Sequence, residues 1–173
     1  SLRVQFHFAN MPTGKGCGTT DRNLESVLNK RSVGIITNDD NNCFWYALVC
    51  LIYPEKKVRR NDRPNLRNKL AKELCNKTKC NWNEPVSILM VPLVEEALNC
   101  NIYLVDSHNI PMLGSTISLM MGDCLMYKSE NRNTSHYFLY YDEVAQHYNW
   151  IGDIKQFLGV REFCYGCMCS FNR

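Results

Sequence analysis

A chain of 173 residues, 45% of them hydrophobic and 21% charged, can fill one ordinary core, which excludes the disordered and fibrous classes. Its net charge of +3 points to no polyanionic partner: only Lys56-Lys57-Val58-Arg59-Arg60, with Arg63 and Arg67, gathers positive charge, and that run reads first as a solvated helix flank, so nucleic acid is not an expected partner. Ten cysteines, with no signal-peptide pattern and no apolar run of membrane-spanning length, point to reduced thiols inside a cell and no membrane association.

Taken in order, Leu2 to Phe8 alternates apolar and polar residues, the period of a strand. The start at Ser1, without an initiator Met, reads as a piece of something longer. Met11 to Thr20, with Pro12, Gly14, Gly16 and Gly18, is Pro/Gly-rich and reads as a linker. Asp21 caps a short helix through Leu28. Val33-Gly34-Ile35-Ile36 is a brief strand that feeds the polar turn Asn38-Asp39-Asp40-Asn41-Asn42, and an apolar helix opens at Cys43. Pro54 and the basic run break that helix. Leu66, Leu70 and Leu74 recur every fourth residue and predict an amphipathic helix ending near Cys75 or Asn76. Asn76 to Pro85 reads as a loop or flexible arm.

A second helix is expected from about Pro92 to Leu98, followed at once by the strand Asn101 to Asp106. Helix, tight connection and strand imply an α/β layering rather than a bundle. Leu113 to Met126, interrupted by Gly114 and Gly122, reads as strand or loop. Tyr137 to Tyr141 and His147 to Ile151 are strands joined by a turn near Asp142-Glu143. The chain divides into an N-terminal strand and linker (1–20), a main domain (21–155) and a cysteine-rich tail (156–173).

Cys43 is the residue with chemistry in it. A thiol in the first turn of a helix faces unpaired N–H groups and the positive end of the macrodipole, a setting that lowers its pKa and suits a nucleophile. The plainer reading is a buried helix that happens to begin with Cys. A thiol nucleophile needs a base and a group to orient it. Of the four histidines, His7 lies in an apolar strand and His108 in a polar turn, which leaves His136 and His147, one at each end of the expected hairpin. Asn149 stands two residues beyond His147 and so points to the same side of the strand.

These residues carry a resemblance. Asp40-Asn41-Asn42-Cys43-Phe44-Trp45-Tyr46-Ala47-Leu48 resembles the catalytic-cysteine motif of the ovarian-tumour (OTU) family of deubiquitinating cysteine proteases, with an Asp three residues before the Cys and aromatic residues after it. Phe138 to Tyr141 followed by His147-Tyr148-Asn149-Trp150-Ile151 is similar to that family's closing strand, turn and His-Tyr-Asn. Leu93 to Val105 resembles its helix-to-strand passage, so the likeness runs from about Val33 to Ile151. Asn41 stands where the family has Gly, and Trp150 where it has a smaller residue.

The resemblance implies an α/β (α+β) fold of the papain type, a small central sheet flanked by helices. It implies Cys43 as nucleophile, His147 as general base with His136 in reserve, and Asn149 as the residue that orients the imidazole. Asp40 would organise an oxyanion hole from the main chain of Asp40, Asn41, Asn42 and Cys43, and Trp150 and Phe44 would line and narrow the substrate channel. The implied partners are ubiquitin or a ubiquitin-like modifier and the proteins that carry it. The expected setting is cytoplasm or nucleus, and catalysis needs no cofactor. Processing of the chain's own longer polypeptide, or a catalytically silent binding module on the same fold, are the alternatives.

Cys164-Tyr165-Gly166-Cys167-Met168-Cys169 is a separate signal. Cys-x-x-Cys offers two soft ligands suited to structural zinc, with Cys169 as a third and either Cys17 or a residue beyond Arg173 as the fourth, which would make the tail a truncated zinc knuckle; free thiols are the equal alternative. An OTU-like unit ending this way also resembles segments encoded beside polymerases in invertebrate DNA viruses and large transposons, which would make the cell a virus-infected host.

Overall fold

Residues 43–50 are buried on every side of their helix, from Cys43 through Cys50. A helix that is apolar all round can only be an interior element, and the rest of the fold is arranged to cover it. The computed structural model describes residues 32–56, 58–59, 63–106, 125–143 and 145–171. The expected strand Leu2–Phe8, the linker, the helix from Asp21, and His7, His108 and Cys17 lie outside the described residues, as does most of Leu113–Met126.

The elements run β1 (Val33–Gly34), α1 (Cys43–Ile52), α2 (Pro64–Lys77), α3 (Val91–Leu98), β2 (Asn101–Asp106), β3 (Leu125–Lys128), β4 (His136–Asp142), β5 (His147–Ile151), α4 (Ile154–Leu158), β6 (Glu162–Cys164) and β7 (Cys169–Phe171). Short 3₁₀ turns at Pro54–Lys56 and Ile88–Met90 follow α1 and precede α3. The sheet is mixed and five-stranded, in the order β1-β5-β4-β2-β3, and β6 and β7 form a separate hairpin. Among the described strands only β2 and β4 run parallel; the other neighbours are antiparallel. The chain is therefore a mixed α/β structure of the α+β kind, with helices on both faces of one sheet.

Local chemistry explains the boundaries. Pro64 sits in the first turn of α2, where its missing N–H costs nothing, and the Leu70–Leu74 stripe faces inward. Pro92 does the same for α3. That helix ends on Asn99 in the left-handed conformation (φ 51°), a turn asparagine tolerates, and β2 starts two residues later. All six residues of β2 are buried, as expected of a strand covered on both faces.

The sheet separates two cores. On one face, α1, α2 and α3 pack against Ile102, Leu104, Leu139, Tyr141 and Tyr148. On the other, Tyr103, Val105, Phe138, Tyr140 and Ile151 are covered by Ile154, Phe157 and Met168. The second cover comes from the segment that the sequence divides between the main domain and a tail. Asp153 caps α4 by accepting from the N–H groups of Lys155 and Gln156, and the β6–β7 hairpin then lies on the sheet. Ile154, Phe157 and Met168 supply the apolar surface that closes the back of the sheet. No described helix is long and apolar enough to cross a membrane.

Candidate active site

The turn before α1 is organised by one carboxylate. Asp40 Oδ1 accepts from the Asn42 N–H (3.0 Å) and Asn38 Nδ2 (2.8 Å), and Oδ2 accepts from the Tyr46 hydroxyl (2.8 Å). Partial burial pushes the Asp40 pKa up, but the hydrogen bonds from Asn42, Tyr46 and Asn38 outweigh it and hold the carboxyl below its ordinary value. Tyr46 is buttressed in turn. The Arg67 guanidinium lies over its ring at 5.4 Å, and Trp82 meets it edge-on at 6.1 Å. A cavity of about 360 Å³ opens beside this group, lined by Asn38, Asp39, Asp40, Tyr46 and Arg67 among others.

A second tie comes from forty residues further along the chain. Asn42 is fully buried; its Nδ2 donates to Asn83 Oδ1 (2.6 Å), and its Oδ1 accepts from the Asn83 N–H (3.0 Å). Asn41 Nδ2 donates to the Asn83 carbonyl at 3.0 Å. Asn83 meets these demands from a left-handed backbone (φ 68°). The same loop is held from the sheet side, where the Tyr148 hydroxyl donates to the Val86 carbonyl at 3.2 Å. Nothing in the sequence pairs Asn42 with Asn83: a contact across 41 positions between two loops leaves no periodic trace.

Cys43 opens α1 with no exposed surface. The main-chain N–H groups of Tyr148 and Phe44 and its own all face the sulfur, so the thiol lies against β5 one residue from His147. Those donors favour the thiolate, as the helix position predicts, yet burial is the larger effect and the Asp40 charge adds to it. The thiol is pushed up to about 11. The lowered pKa expected from the sequence is thus reversed, because the helix terminus that supplies the N–H groups is also sealed from water.

His147 is buried at the start of β5, opposite Asp142. Its Nε2 bonds the Ile36 carbonyl at 2.7 Å. A carbonyl can only accept, so Nε2 carries the proton, and in the neutral ring Nδ1 holds the basic lone pair. Asn149, expected to orient the imidazole, accepts instead from the Ile36 N–H at 2.9 Å. The reason is local. After Gly34 pairs with Trp150, the first strand gives way, and the side chains of Asn149 and His147 take the N–H and C=O of Ile36 that a longer ladder would have used. The imidazole is therefore oriented by the Ile36 main chain, a role that sequence reasoning does not reach.

The other expected site residues fall elsewhere. His136 begins β4, six residues from Asp142, the partner of His147. At about 3.3 Å per residue that puts it roughly 20 Å away along the sheet. Its Nδ1 lies 3.1 Å from the Tyr103 hydroxyl and 3.2 Å from Asn101 Nδ2, and burial lowers its pKa. It borders a cavity of about 650 Å³ at that far end, with Lys128 and Arg132. Phe44, expected in the channel, is fully buried and meets Trp45 and Tyr148 edge-on at 5.2 and 5.3 Å, so it belongs to the core. Trp150 is half-buried, lies flat on Gly34, and carries the Arg59 guanidinium over its ring at 4.5 Å. Among the described residues no three His, Cys, Asp or Glu side chains are gathered to hold a metal ion.

Compared with family models, with curated proteins and with solved structures, the chain matches none.

Proposed function

We propose that this chain is a cysteine-dependent acyl-transfer hydrolase of the OTU type, which removes ubiquitin or a ubiquitin-like modifier from lysine side chains. The observation that carries this reading is the position of the Cys43 sulfur, at the N-terminus of a buried helix and against the main chain of Tyr148, the residue that follows His147 in β5. In the reaction the Cys43 sulfur attacks the carbonyl of the modifier's C-terminal glycine, and its proton passes to Nδ1 of His147. The C–N bond breaks as the imidazolium protonates the leaving amine. Water then hydrolyses the thioester and frees Cys43. Main-chain N–H groups of the turn held by Asp40 and Asn83 would receive the oxyanion. Asn149 and the Ile36 main chain act as positioning groups for the imidazole.

The full burial of Cys43 and its raised pKa favour a second reading, a module that binds a modifier without cleaving it. One experiment separates the two. The chain is incubated with ubiquitin bearing a C-terminal electrophile, and the adduct is located by mass spectrometry. The hydrolase reading expects an adduct on Cys43 that is lost in Cys43→Ala and kept in His136→Ala. No adduct, with Cys43 no more reactive than Cys50 toward small alkylators, overturns the hydrolase and leaves the binding module.

A further inference from the structure

The connection between β3 and β4, residues 129–135, is neither helix nor strand, yet buried side chains hold it in place. Asn101, fully buried at the start of β2, donates through Nδ2 to the Asn133 carbonyl at 2.7 Å. Its Oδ1 accepts from the Asn133 N–H and the Ser129 hydroxyl, both at 3.3 Å. Glu95, also buried, accepts from Asn131 Nδ2 at 3.1 Å. The Asn133 contacts fix which way the Asn101 amide faces, so its Nδ2 can only donate to Nδ1 of His136, 3.2 Å away. Nδ1 is therefore an acceptor, and the neutral ring carries its proton on Nε2. Burial favours that neutral form.

The Nδ1 edge of His136 is turned toward Asn101 and the Tyr103 hydroxyl. The Nε2 edge, bonded to none of the described residues, is left to the cavity of about 650 Å³ that His136 lines. Stacking on Tyr165 at 4.7 Å and on Tyr103 at 5.9 Å holds the plane of the ring. Lys128 and Arg132, both exposed, line the same cavity against the carboxylate of Glu130. Tyr165 keeps 42% of its surface exposed there. Apolar rings with a few fixed polar groups, in a space of this size, make a site for a small organic ligand. Anchoring the connection from beneath sets where its cations stand before a ligand arrives, which lowers the ordering cost of binding.

We propose that this cavity binds a small phosphate monoester with a planar organic part. Its oxygens are taken by His136 Nε2–H, Lys128 and Arg132, and its ring lies along Tyr165. Three separate donors suit the three terminal oxygens of a phosphate ester better than the two of a carboxylate. The site lies at the end of the sheet away from His147 and does not depend on any reaction at Cys43.

The test is isothermal titration of the full chain with phenyl phosphate, inorganic phosphate and phenol. The expected result is saturable binding of one phenyl phosphate per chain, competed by inorganic phosphate, with phenol weaker by at least roughly tenfold. Lys128→Ala and Arg132→Ala should together weaken it by at least roughly tenfold. Lys69→Ala, which removes an exposed cation on α2, should bind as the parent does. His136→Gln keeps an N–H donor near the place of Nε2 and should bind more tightly than His136→Phe, which keeps only the ring. Far-ultraviolet circular dichroism checks that each variant is folded. No saturable binding at millimolar phenyl phosphate overturns the proposal. So does binding that phenol matches, that the paired charge substitutions leave unmoved, or that is equal in the folded Gln and Phe variants.

Discussion

Asn83 is the residue whose removal should tell most about the turn before Cys43. In Asn83→Ala the side-chain acceptor of the buried Asn42 Nδ2 disappears, while the main-chain bonds from Asn83 can persist. A buried donor left without its partner costs about 1–3 kcal/mol. Alanine must also hold the left-handed φ of 68° that asparagine tolerates, which adds about 1 kcal/mol. Together the expected loss is roughly 2–4 kcal/mol, a large share of the typical 5–15 kcal/mol of a domain. Asn83→Gly loses the same hydrogen bond without the backbone strain, so it should be more stable than the alanine variant by about 1 kcal/mol. Urea unfolding followed by tryptophan fluorescence measures both, with Trp82 next to the loop as a local reporter and an unchanged slope as the sign of an unchanged unfolded state. An alanine variant within about 0.5 kcal/mol of the parent, the range of an ordinary surface change, would refute this account. So would a glycine variant less stable than the alanine one.

Two further outcomes follow from the geometry around β5. Because the folded Cys43 thiol keeps its proton to about 11 while an unfolded one releases it near 9.0, stability is fully present below pH 9 and falls as pH rises through that window. The loss is up to roughly 3 kcal/mol. Cys50 and Cys75 are also pushed up to about 11 and share the trend, so the measurement is the difference in slope between the parent and Cys43→Ala, and equal slopes would contradict it. A methyl group at Gly34 would lie 1.8 Å from Cε2 of Trp150, so Gly34→Ala should cost roughly 1–3 kcal/mol by overpacking. In a Trp150→Ala background the same change should be nearly neutral; additive costs in a double-mutant cycle would show that the indole does not press on that glycine.

The regular parts of this architecture were legible because they rest on short-range rules. The spacing of Leu66, Leu70 and Leu74, the proline at 92, and the aromatic run at Tyr137 to Tyr141 each announce an element through its own period or its own terminus. The site was legible in part for the same reason: an acidic and amide-rich turn running into an apolar helix places Cys43 at a helix start. What that pattern cannot carry is the balance between two opposed effects on one thiol. The N–H groups that favour the thiolate follow from position 43 alone, whereas the burial that outweighs them depends on elements packed around it from elsewhere in the chain. The partners of Asn149 and Asn42 were hidden for a related reason. Each depends on where a distant loop crosses, and side-chain amides bond to whatever main chain arrives. The packing of the last twenty residues was hidden too, since Phe157 and Met168 only become core residues once a sheet face is there to receive them.

The outer margin of β5 has a consequence for self-association. Trp150 and Ile151 are paired with Gly34 and Val33, the Ile36 peptide is occupied by Asn149 and His147, and the Tyr148 N–H is turned toward the Cys43 sulfur. A foreign extended segment seeking to lengthen the sheet finds this side already engaged, partly by side chains rather than by another strand, and runaway strand addition is blocked there. The arrangement that holds the imidazole in place is, for a neighbouring molecule, a closed hem.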